Sequence, residues 1–121
     1  MLLIRTMVAL VMHAPYGHED VFSGLYAVLA SLTKDMGVDV VFIENGAYAP
    51  LKGQDSEPNI VYPCVLGLMD SIVELGGRMF IHKPSADERG ITKDDIIEQI
   101  EFVDDDKVVE LISKADAVIT F

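Results

Sequence analysis

The sequence predicts an α/β domain covering residues 1–121, a three-layer sandwich with a five-stranded parallel sheet between helices. Three observations carry that expectation. Short β-branched or aromatic runs alternate with amphipathic segments in the order β-α-β-α-β-α-β-α-β, and the connections between them are short. The first run is almost continuously apolar instead of alternating, which suits a strand covered on both faces. Parallel strands joined in this way require right-handed crossovers.

Residues 2–12 form the first strand, broken by "HAPYG". From His18 to Met36 the apolar residues Val21, Phe22, Leu25, Val28, Leu29 and Leu32 recur at helical spacing. Glu19 and Asp20 suit its first turn, and Gly37 is the expected stop. "VDVVFIENG", residues 38–46, is the second strand, closed by Asn45-Gly46. The loop after it contains Tyr48, Ala49, Pro50 and Leu51, an apolar group unusual for a solvated connection and therefore an expected contact surface.

Residues 61–75 predict a second helix, with Pro63 in its first turn, Cys64, Leu68, Ile72 and Leu75 on one face, and Gly76-Gly77 at its end. "RMFIH", residues 78–82, is the third strand. "PSADERG" has room for barely two helical turns before "ITKDDII", and residues 98–103 give the fourth strand. "DDDKVVELISKAD", residues 104–116, places three aspartates at the positive end of a helix dipole and turns Val108, Val109, Leu111 and Ile112 inward. "AVITF" is the fifth strand.

Composition excludes several classes of function. The formal charge is −11, from 9 Lys and Arg against 20 Asp and Glu, and no basic stretch offers the contacts that nucleic acid or an anionic membrane needs. No apolar run is long enough to span a bilayer, and Arg5 splits "MLLIRTMVALVM" without a small-residue cleavage site after it, so a signal peptide is not expected. One cysteine, Cys64, forbids an internal disulfide and fits a reducing cytoplasm.

Ligands of open parallel sheets bind outside the carboxyl ends of the strands. That rule selects "MHAPYGH", "ENGAYAP", "HKPS" and "VDDD", and all three histidines, His13, His18 and His82, fall in the set. The candidate pocket comprises His13, Tyr16, Gly17, His82, Lys83 and Ser85. With Glu44 or Asp104 the histidines offer zinc-type ligands, but no HxH, HxxxH or HExxH spacing occurs and no metal or cofactor is assigned. His82 has three open readings: a general base, an anion receptor together with Lys83, or a polar strand end facing solvent. Cys64 is the only side-chain thiol, yet its phase with Leu68 and Ile72 places it on the apolar helix face, where cysteine is an inert hydrophobe. Gly17, Gly24 and Gly46 form no nucleotide-binding pattern.

"HAPYGHEDVFSGLYAVLASL", "VDVVFIENGAYAPLKGQ", "ADERGIT" and "ADAVITF" together resemble the DsrE/DsrF-like family, most of all its TusC/DsrF branch, in order and over nearly the whole chain. The resemblance implies a cytoplasmic protein that assembles into dimers, trimers or hexamers with itself or with DsrE-like subunits. Relay members of the family pass persulfide sulfur to and from carrier proteins. It also implies where the relay thiol belongs: at the end of the third strand, eight residues before the glycine of the "RG" motif. Counting back from Gly90 gives His82. A persulfide needs a thiolate, so the family nucleophile is missing at its address.

The resulting expectation is a non-catalytic, oligomer-forming subunit of a sulfur relay, with Tyr48, Ala49, Pro50 and Leu51 at an interface and a DsrE-like subunit or sulfur-carrier protein as partner. Two alternatives stand beside it. One is a homo-oligomeric module that holds a small anion or metal in the strand-end pocket, and the other is an enzyme that accepts sulfur on Cys64.

Overall fold

The computed structural model describes residues 4–15, 19–54 and 65–121. Its elements follow the expected order: β1 (Thr6–Val11), α1 (Asp20–Leu32), β2 (Gly37–Phe42), a 3-10 helix (Glu44–Tyr48), α2 (Val65–Glu74), β3 (Arg78–His82), α3 (Lys83–Glu88), a 3-10 turn (Lys93–Asp95), β4 (Ile100–Val103), α4 (Asp105–Lys114) and β5 (Ala117–Thr120). All strand pairs are parallel, in the order β4-β3-β2-β1-β5. The first three crossovers advance in one direction and share one face. The last returns from β4 to the opposite edge, so a right-handed connection must put α4 on the other face.

Strand periodicity divides the core accordingly. Met7, Ala9 and Val11 of β1 pack with Val21, Leu25 and Val28 of α1 and Met69 and Ile72 of α2. Val8, Val41, Phe80 and Val103 meet Val108 and Leu111 of α4 on the other side. The helical face is sealed near the chain end by Phe121, whose ring lies over Gly24; a Cβ on Gly24 would fall 2.3 Å from the ring.

Several boundaries differ from those the sequence predicts, each for a local reason. α1 ends before Gly37 because Asp35 takes the left-handed conformation (φ 64°) and the Met36 N–H donates to the Ser31 carbonyl at 3.3 Å. β2 stops at Phe42, and Asn45-Gly46 lies inside a 3-10 helix instead of closing the strand. α2 buries Val65, Met69 and Ile72, whereas Leu75 lies beyond the helix and is 46% exposed. Cys64 and Pro63 lie outside the described residues. In α4, Val108 and Leu111 turn inward as expected, but Val109 is 64% exposed.

The expected contact surface at residues 48–51 also needs correction. Ala49 is fully buried and Pro50 is buried, so neither presents area to a partner. Their apolar character is used within the chain: Ile97 N–H donates to the Pro50 carbonyl at 3.1 Å, and Leu51 bridges to Ile96. Leu51 is half-buried, and of the four only Tyr48 is exposed.

Candidate functional site

His82 ends β3, and Lys83 and Pro84 open α3 immediately after it, with proline tolerated because the first helical N–H groups have no intrahelical acceptor. The extended backbone at His82 (ψ 112°) turns its side chain inward, where it is 11% exposed. Both ring nitrogens are engaged. Nδ1 lies 2.7 Å from Ser85 Oγ, and Nε2 lies 2.5 Å from Asp105 Oδ1, in the first turn of α4. An ionised carboxylate only accepts, so Nε2 carries a proton toward Asp105, and in the tautomer with that one proton Nδ1 accepts from the Ser85 hydroxyl. Ser85 is 3% exposed, and its oxygen accepts the Glu44 N–H at 2.9 Å.

This hydrogen-bond chain joins the entries of α3 and α4 to the segment after β2. Glu44 has a left-handed backbone (φ 54°), which costs a non-glycine residue about 1 kcal/mol or more. Gly46 follows it beneath the end of β1, where a Cβ would fall 1.8 Å from the Val11 carbonyl oxygen. Arg89 secures the same segment. Its guanidinium, 16% exposed, donates to the Ser85 carbonyl at 3.0 Å and to Asn45 Oδ1 at 3.2 and 3.1 Å, and Glu44 lies 3.6 Å away.

His82 and Ser85 are therefore brought together as the sequence predicts, but Lys83 is not part of their cluster. Its ammonium pairs with Asp87 one helical turn on, at 2.7 Å and largely in solvent. His13 is exposed beyond β1. Tyr16, Gly17, His18 and Cys64 lie outside the described residues. Among the described residues no three His, Cys, Asp or Glu side chains converge as a metal site.

Sequence reasoning missed Asp105 as the partner of His82, and Asn45 and Arg89 as the pair that holds the Ser85 carbonyl and the segment after β2. The "RG" motif and the aspartate triplet marked two of these regions, but helical phase alone does not say which of Asp104, Asp105 and Asp106 reaches the ring. Asp104 is the helix cap and accepts the Lys107 N–H at 3.0 Å. Asp105 is the residue that crosses to β3.

The arrangement resembles a serine–histidine–aspartate relay in composition but not in chemical readiness. The Ser85 hydroxyl is buried, gives its proton to Nδ1 and already accepts a backbone N–H. In a working relay the histidine is likewise bonded to both partners, but its serine hydroxyl is open to substrate. Ser85 is 3% exposed and its oxygen is taken by the Glu44 N–H, so the hydroxyl is closed to substrate, and an imidazole is no carrier of transferable sulfur. The geometry acts as a fastening of three elements.

The DsrE/DsrF-like family matches residues 6–121. The intracellular sulfur oxidation protein DsrF of Allochromatium vinosum is 30% identical over 125 residues, covering 89% of this chain and 90% of that protein. A TusC homolog of Vibrio vulnificus is 26% identical over 110 residues, covering 89% and 92%. Among solved structures, the ychN protein of E. coli superposes with a TM-score of 0.87 at 22% identity, over 98% of this chain and all of that one, and shares its fold. With the family matched from β1 to the end of the chain and the parallel sheet in place, this protein belongs to the DsrE/DsrF-like family.

Proposed function

We propose that this chain is a non-catalytic, oligomer-forming subunit of an intracellular sulfur relay, supporting persulfide transfer by a thiol on another chain. The observation that supports this most directly is the closed His82 chain. At the strand end where the family resemblance calls for a relay cysteine, an imidazole stands with both nitrogens bonded within the protein. Similarity to DsrF and TusC proteins supports the pathway class. The partners are a cysteine-bearing DsrE-like subunit and, through it, a sulfur-carrier protein. No cofactor is required, because the sulfur would remain on the partner's thiol. The alternative anion or metal module draws no support from the pairing of Lys83 with Asp87 and of His82 with Ser85 and Asp105.

Native mass spectrometry of the chain expressed with its genomic neighbours tests the assignment. The expected result is a complex containing a cysteine-bearing homologue. A homo-oligomer alone removes the hetero-complex. A sulfur-loading assay with a labelled persulfide donor separates the thiol question: His82→Cys should gain sulfur that a reductant releases, and the unaltered chain should take up none. Uptake by the unaltered chain that Cys64→Ser abolishes overturns the non-catalytic assignment and makes Cys64 the acceptor.

A further inference from the structure

The two edges of the sheet are protected differently. At the β4 edge Ile100 and Val103 are buried and Glu101 puts a charge on the strand. At the β5 edge none of the four residues is buried, Val118 is 41% exposed, and the sequence Ala-Val-Ile-Thr carries neither charge nor proline. Edge strands with free N–H and C=O groups recruit other strands unless lysine, proline, a bulge or a covering element prevents it.

The pairing with β1 identifies which groups are free. Phe121 N–H donates to the Leu10 carbonyl at 2.9 Å, and the Phe121 carbonyl accepts from Met12 N–H at 2.8 Å. Backbone groups alternate sides along a strand. Phe121, Ile119 and Ala117 therefore turn theirs toward β1, and Val118 and Thr120 turn theirs outward.

We propose that this edge docks a second copy of the chain, through two-fold antiparallel pairing of β5 with β5. An axis at Ile119 places each Val118 opposite Thr120 of the second copy, and each such pair exchanges two N–H···O=C bonds. The outward groups of both strands are thereby all used, which is the self-complementarity that a two-fold interface requires. The side chains agree with this. Val118 is the register partner of Val8, which packs beneath α4, so Val118 lies on the α4 face. Lys107, Glu110 and Lys114 line a cleft with Thr6 and Met7 of β1, Asp39 of β2 and Arg78 of β3. These charged side chains face inner strands of the sheet, and the β5 edge itself carries none.

Electrostatics favours the same place. Each copy carries a formal charge of −11, so two copies approach with least repulsion along an uncharged strand. Asp116, at the entry to β5, turns its carboxylate to the N–H groups of Arg5 and Thr6, at 2.9 and 3.1 Å. This inference concerns the edge alone and does not depend on the sulfur chemistry.

Val118→Pro tests it, read by light scattering on the eluting full chain. The Val118 N–H points away from β1, so proline there costs no bond within the sheet while removing a donor from the edge. The wild type should have the mass of an even number of chains, and the variant half that mass with an unchanged far-UV spectrum. A Cys64→Ser, Ile119→Cys variant provides a second readout, because the axis sets residue 119 against itself in a close non-hydrogen-bonded pair. Oxidation should give a covalent dimer that a reductant separates. A single-chain wild type, a Val118→Pro variant of unchanged mass, or a residue-119 thiol that never cross-links overturns the proposal.

Discussion

At the end of β3, a buried imidazole and hydroxyl fasten α3, α4 and the segment after β2; at the start of β5, an exposed carboxylate fastens β5 to β1. Both use side-chain oxygens and both hold neighbouring elements together. They differ in what replaces a lost bond. Around Asp116 water can supply a donor or acceptor, so the fastening contributes only the surplus of a charge-assisted bond over a hydrated one. Around the Ser85 hydroxyl and the His82 ring little water reaches, and a missing partner leaves a desolvated polar group. Buried hydrogen bonds thus constrain the strand-end region more tightly than their number suggests.

The strongest way to break the strand-end region is through its backbone. Gly46→Ala forces a Cβ to within 1.8 Å of the Val11 carbonyl oxygen, and neither side of that contact is a flexible side chain. The segment must move away from β1 and pull Glu44 from Ser85. The expected loss is on the order of 3 kcal/mol or more, measured as a shift in the urea midpoint. A loss below about 1 kcal/mol contradicts the rigid contact, since that is the size of an ordinary surface substitution.

Ser85→Ala sharpens the contrast by removing one oxygen atom. The Glu44 N–H then has no Oγ to donate to and His82 Nδ1 no hydroxyl to accept from. A buried group left without its partner costs about 1–3 kcal/mol, and hydrogen exchange at the Glu44 amide should accelerate more than exchange at the β2 amides. Unchanged protection at Glu44 would separate the 3-10 segment from the His82 chain and assign its fastening to α3 to Arg89.

The fold was legible in the sequence because each layer writes its own period. The continuous apolar runs of β1 and β3 and the 3.6-residue stripe of α1 required no tertiary information. Long-range partnership left a weaker trace. Asp35 replaces glycine as the left-handed residue after α1, and nothing local distinguishes it from Asp20, which stands in a first turn. His82 and Ser85 were identifiable as strand-end residues, but the partner of the imidazole comes from 23 positions later and was one of three adjacent aspartates. The apolar group Tyr48 to Leu51 looked like an interface because the sequence does not reveal that Pro50 and Leu51 meet residues 96 and 97. Periodicity reports which face is buried; it does not report what buries it.

Acid titration probes the exposed side of the comparison and should produce the smallest effect. Backbone N–H bonds from Arg5 and Thr6, together with the Thr6 hydroxyl, hold the Asp116 carboxyl below the usual carboxylate range. A lowered folded pKa means that the folded state favours the ionised form. Its contribution to stability is complete above the unfolded value of about 4 and disappears as pH falls through the lower folded value. Asp116→Asn retains an oxygen acceptor and loses the charge, so the wild type should melt slightly higher than the variant near neutrality. The two melting curves should converge below about pH 4. A gap that persists unchanged into acid would assign the difference to geometry, and the carboxylate's charge would then have no part in joining β5 to β1.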